Sequence, residues 1–168
     1  MSLKSIYANK ILNKKFKDLK RDISVFNFEK AKNIGILWHI DDKEAFKFME
    51  ENLDIGKISL TSLCFRGNNK EEIPGSFSEK ETNWLGFPKT EHVKGFIQTE
   101  FDLLINVSLI NSFAMVAVSA LSKARFKIGV TDGFKNYFDL SIDVSKNPNS
   151  LYLAEQQLFY LKELKINN

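Results

Sequence analysis

Few side chains in this sequence could do chemistry near neutral pH, and they stand far apart. His39 closes the apolar run "KNIGILWHI", with Asp41 and Asp42 directly after it. An imidazole can hold or release a proton near neutrality, so His39 is the leading acid–base candidate. A structural or exposed histidine at a strand end is the preferred alternative. Asp41 and Asp42 introduce a stretch with helical period and read first as helix caps, Asp41 with Glu44 making a variant capping box. A metal or general-base pair is the competing reading. Arg66 follows "ISLTSLCF" and offers a guanidinium to a phosphate or carboxylate, or else is a solvated strand-end charge. Asn106 and Ser108 stand two apart in "FDLLINVSL", which puts them on one face of a strand. They read a ligand there or bond a neighbouring loop, and the structural role is preferred. Thr131 lies just past "ARFKIGV". Trp84, in the polar stretch 67–92, is either a lid residue or half-buried under its own loop.

Several motifs are missing. "HIDDKEA" occupies the place where a dinucleotide fingerprint G-x-G-x-x-G would follow the first strand. There is no G-x-x-x-x-G-K-[ST], no G-x-S-x-G and no H-E-x-x-H. His92 has no ligand-like spacing to His39. No metal site is assigned, and no cofactor is identified.

The elements that must position these residues follow from hydrophobic period. Residues 32–40, 57–65, 101–109 and 124–130 are compact apolar runs, each separated from the next by a helical or polar segment. A strand–helix–strand rhythm predicts a parallel sheet. Leu103, Leu104 and Ile105 are apolar on both faces, as in a central strand. Helices are expected after Asp42, across 91–98, across 111–123 capped by Asn111 or Ser112, and from Asn147-Pro148 to about residue 164. In "YFDLSIDV", Phe138, Leu140, Ile142 and Val144 alternate with polar or exposed positions after the turn signal Asp132-Gly133. The expectation is an edge strand returning antiparallel. The predicted fold is α/β, a Rossmann-like three-layer α/β/α with a mainly parallel sheet and an antiparallel last (edge) strand. In such sheets ligands bind beyond the carboxyl ends of the strands, near the switch in strand order. His39, Arg66, Asn106, Ser108 and Thr131 fall at that edge.

Charge is unevenly distributed. Residues 1–22 hold seven bases and two acids, a net of +5; the chain total of +3 leaves −2 for the rest. Ala8, Ile11, Leu12, Phe16 and Leu19 recur at helical spacing between those lysines, which predicts a basic amphipathic helix. Its stripe is expected to pack on its own domain; an anionic membrane surface, RNA or a protein partner on this helix are the alternatives. The near-neutral body speaks against nucleic acid. The expected organisation is a helix over 1–22 and a single α/β domain over 23–168, with a long loop at 67–92. Fifteen Phe residues predict an aromatic-rich core. The single cysteine, Cys64, cannot form an internal disulfide and reads as a buried strand residue. No run is long and apolar enough to span a membrane, and a reducing cytoplasm is the expected location.

Residues 101–130, with "DLLINV", Ser112, Ala120, Ala124 and Ile128-Gly129, resemble part of the N-terminal Rossmann-like half of heptosyltransferase-type glycosyltransferases. That resemblance implies a strand, a helix and a strand. The glycine-rich loop after the first strand is absent, and so is the half that binds the nucleotide sugar, so no catalytic residue is carried over. The whole chain is similar to a family of small uncharacterised bacterial α/β proteins, through its basic helix, "NIGILWHI" and "FDLLINVS". The function expected is a non-catalytic ligand-binding or interaction module. The alternative is a small or degenerate transferase-like enzyme acting on a phosphorylated or nucleotide-linked sugar.

Overall fold

The computed structural model describes residues 2–53, 56–110, 112–131 and 136–165. Six strands make one sheet: β1 (Asn33–His39), β2 (Ser59–Phe65), β3 (Ser76–Phe77), β4 (Leu103–Asn106), β5 (Phe126–Val130) and β6 (Leu140–Ile142). Their order is β3-β2-β1-β4-β5-β6, and each neighbouring pair is parallel. The direction of strand addition reverses between β1 and β4, which is the switch of a Rossmann-like sheet.

The helices are α1 (Leu3–Asp18), α2 (Lys43–Asn52), α3 (Glu91–Gln98), α4 (Phe113–Leu121) and α5 (Ser150–Glu163). Side chains alternate across the sheet and sort the core into two layers. Ile34, Ile36, Trp38, Leu103, Ile105 and Ile128 pack towards α2 and α5. Leu37, Leu63, Phe65 and Leu104 pack with Val93, Phe96, Met115 and Val118 of α3 and α4. Phenylalanines fill much of the second layer: Phe65 meets Phe77 and Phe96 meets Phe101, each at 4.9 Å between ring centroids. Cys64 is buried in β2, and burial pushes its thiol up to about 12, which leaves it a small apolar residue.

Helix α1 adds a layer outside α4. Leu12 is fully buried and clusters with Ala117 and Ala120, while the Phe16 ring meets Tyr137 edge-on at 5.0 Å. Tyr137 also donates a hydrogen bond to Asn13 Oδ1 at 2.9 Å. Beyond α1, Arg21 pairs with Asp139 at 2.6 Å and ties the following segment to the β6 edge.

Two expectations about the sheet need correction. Strand β6 runs parallel to β5, with Ile128 opposite Leu140 and Val130 opposite Ile142. A tight turn would have returned it antiparallel, but nine residues, 131–139, separate the two strands. Just before β6 the Phe138 ring packs against Gly129 of β5, where an added Cβ would lie 2.3 Å from it. The turn signal Asp132-Gly133 and the cap candidate Asn111 lie outside the described residues. The second correction is β3, a two-residue edge strand inside the segment read as a loop. Smaller differences concern caps. Asp42 holds the cap position of α2 without a side-chain cap bond, so the expected capping box is not formed. Asn149 caps α5, and Pro148 stands just outside it.

Lys127 sits in β5 with no solvent exposure. Its Nζ donates to the carbonyls of Ser119 and Ala120 in the last turn of α4, at 2.9 and 3.1 Å. These carbonyls have no partner within the helix, and a cation there also opposes the helix dipole. Burial, reinforced by the nearby Arg21 charge and opposed by Asp139, lowers the amine from 10.5 to about 7. Between pH 7 and 10.5 the unfolded chain therefore keeps a proton that the native state has lost. Unfolded protein binds more protons, so stability rises with pH across that window. Denaturant titrations from pH 6.5 to 10 should show this rise, and it should flatten in Lys127→Met; equal slopes for the two proteins would refute the assignment.

Candidate functional site

In this topology the crevice beyond the carboxyl ends of β1 and β4 is where a ligand would be expected. Strand β1 ends at His39 and passes into a 3-10 turn, Ile40–Asp42, before α2. Strand β4 ends at Asn106, and the chain continues through Ser108. Ser108 Oγ donates to Asp42 Oδ2 at 2.5 Å, directly across the switch. The same oxygen accepts the Ile110 N–H at 3.0 Å. Asn106 Oδ1 accepts the Ser108 N–H at 2.9 Å, and Asn106 Nδ2 donates to Ser119 Oγ of α4 at 3.2 Å. Gln157 of α5 donates to the Asn106 carbonyl at 2.8 Å. One continuous run of buried hydrogen bonds thus links the start of α2 to β4, α4 and α5. A hydrogen bond between the chain's own side chains spans the crevice, and carboxylates occupy the place where a glycine loop would offer N–H groups to a phosphate.

Open space lies one strand further along. A cavity of about 270 Å³ is bounded by the exits of β4 and β5, by α4 and by the segment entering α5. Leu109, Ile110, Met115, Val116, Val130, Phe138 and Val144 give it apolar walls. Asn106, Ser108, Ser119, Thr131, Tyr137 and Ser145 supply its polar atoms, and none of its described lining residues is charged.

The residues expected to form a site do not all meet. Asn106, Ser108 and Thr131 line this cavity. Thr131 is an exposed rim residue whose N–H donates to Ile142. His39 lies apart from it: Nδ1 accepts the Asp41 N–H at 3.2 Å, and the ring leans on Phe65. Arg66 folds the following loop, donating to the carbonyls of Asn69 and Glu71, each at 3.1 Å. Glu81 approaches the same guanidinium at 3.8 Å. Trp84 is 68% exposed and does not line the cavity; next to it, Leu85 and Gly86 lie against α4. Ser119, Tyr137 and Val144 were not singled out from the sequence. Ser119 was visible as a hydroxyl in an apolar helix, but nothing local marked the other two as cavity walls.

Residues 4–164 match a family of unknown function (DUF6913). No curated protein and no protein of solved structure matches the chain.

Removing the Ser108 hydroxyl would leave the Asp42 carboxylate and the Ile110 N–H without this partner. Ser108→Ala should cost about 1–3 kcal/mol of unfolding free energy in urea titration. In a double-mutant cycle with Asp42→Ala, the double variant should lose clearly less than the sum of the two single losses. Strict additivity would show that the two residues are not coupled.

Proposed function

We propose that this chain, which belongs to that family of unknown function, is a non-catalytic binding module for a small, uncharged and largely apolar molecule. The observation that carries the reading is the cavity at the β4 and β5 exits, with apolar walls, a few hydroxyl and amide groups and no charged lining side chain among the described residues. Sites of this kind gain affinity from buried apolar area and orient the ligand through a few polar atoms. The volume suits a molecule of one or two rings.

The groups able to do acid–base or nucleophilic chemistry support a non-catalytic role. The His39 imidazole is held by Asp41 away from the cavity. The Cys64 thiol is raised out of its reactive range by burial. The Lys127 amine is taken up by two helix carbonyls. A phosphorylated or nucleotide-linked sugar is disfavoured, because its charge would meet no cation among the described lining residues and would find Asp42 behind Ser108.

A thermal-shift series separates this reading from the transferase alternative. Indole and cyclohexanol would be compared with a nucleotide sugar and a hexose phosphate. An uncharged compound at ten times its Kd should raise Tm by about 3–6 °C. Ser145→Phe, at an exposed rim position, should abolish that shift while leaving the unliganded Tm nearly unchanged. A shift from the nucleotide sugar alone would favour the transferase reading. A shift with uncharged compounds that survives Ser145→Phe would remove this cavity as the site.

A further inference from the structure

A second concavity, of about 1170 Å³, runs beside α1 and is bounded by residues from Ser2 to Asp18, by Glu79, Leu85 and Gly86, and by α4. It follows the full length of a sixteen-residue helix, about 24 Å at 1.5 Å per residue. Ile6, Leu85, Phe113 and Val116 contribute apolar surface to it. Lys10, Lys14 and Lys17 stand at i, i+4 and i+7, so they share one face of α1 along the groove. All three are exposed, and none has an ion-pair partner among the described residues. The packing of α1 on α4 consumes its apolar stripe through Ala8 and Leu12 and leaves this basic flank unused.

We infer that this groove is the docking site for an acidic amphipathic segment of a partner protein. The argument is charge complementarity combined with shape. A row of lysines beside an apolar floor matches a helix or strand that carries Asp or Glu on one side and aliphatic residues on the other, the arrangement used when a helix lies in a groove. Shape decides against a lipid surface, since a flat bilayer would touch the rim and leave the apolar floor unfilled. Asp18 and Glu79 also border the groove, and a nucleic-acid backbone with its dense negative charge would be laid against both. Among the described residues the groove shares only Val116 and Tyr137 with the cavity at the β4 and β5 exits, and neither is among the lysines that would face the segment's acidic side.

The test uses fluorescence anisotropy with a labelled sixteen-residue peptide that presents Glu on one helical face and Leu on the other. The intact chain should bind it, and raising salt from about 0.02 M to about 0.5 M should weaken binding. Lys14→Glu/Lys17→Glu should weaken it about ten-fold or more. The charge-matched control Lys15→Glu/Lys20→Glu, which lies off the groove, should weaken it far less. All four lysines are exposed, so unchanged circular dichroism and Tm will certify both variants as folded. Equal losses in the two variants would show a diffuse charge effect and overturn the proposal. So would equal binding of a Lys/Leu peptide. Co-sedimentation with phosphatidylserine vesicles without peptide binding would assign the lysines to a membrane surface instead. Self-association that disappears in Lys14→Glu/Lys17→Glu would assign the groove to a second copy of the chain.

Discussion

The hydrogen bond between Ser108 and Asp42 is the contact on which the carboxyl edge of this sheet depends. A parallel sheet whose strand order reverses must splay at the reversal, because the connections on either side leave in opposite directions. Many proteins fill the resulting crevice with a ligand. Here a serine hydroxyl and a carboxylate close it, and Asn106, Ser119 and Gln157 extend the closure into both helical layers. Each member is bonded to another member, and the Gln157 Oε1 is the one side-chain atom of the run left buried without a partner among the described residues. A cavity with mostly apolar walls lies beside this crevice, at the β4 and β5 exits.

Much of this was legible from residue types. The alternating apolar runs announced parallel strands, and Asn106 and Ser108 were recognisable as polar residues on one face of a central strand. Their partners were not recognisable, because Asp42 is sixty-six positions from Ser108 and Gln157 is fifty-one from Asn106. Strand order carries no local signal either. The reversal between β1 and β4 comes from where the helices pack, and the neighbourhood of the cavity comes from that order. The direction of β6 was misjudged for a related reason. Its alternation is the same in either direction, and nine residues, rather than a tight turn, separate it from β5. Arg66 shows the opposite limit: a guanidinium at a strand end has the same sequence signature whether it holds a ligand or the carbonyls of its own loop.

The basic helix illustrates how one segment can satisfy two demands. Its apolar stripe was expected to pack inward, and Ala8, Leu12 and Phe16 do so against α4 and Tyr137. The lysines between those residues are then placed by helical geometry on the flanks, and one flank borders a groove. Tyr137 and Val116 line both that groove and the ligand cavity. The two concavities thus share part of their lining, and Tyr137 is bonded there to Asn13 of α1.

Covering α4 with α1 has an electrostatic cost elsewhere. A helix with one face to solvent satisfies its last carbonyls with water. Helix α4 has the sheet on one side and α1 on the other, and six of its nine residues are buried. Its last-turn carbonyls therefore need a donor from within the protein. Lys127 reaches them from β5, with the Phe16 ring of α1 5.5 Å from its ammonium. Desolvating that ammonium is what lowers its pKa. The alternative, an apolar residue at position 127, would avoid the desolvation and leave two buried carbonyls unpaired, a penalty of comparable kind. The buried lysine and the outer helix are therefore parts of one solution. The helix that completes the core also withdraws water from the end of its neighbour, and a strand lysine amine takes the water's place.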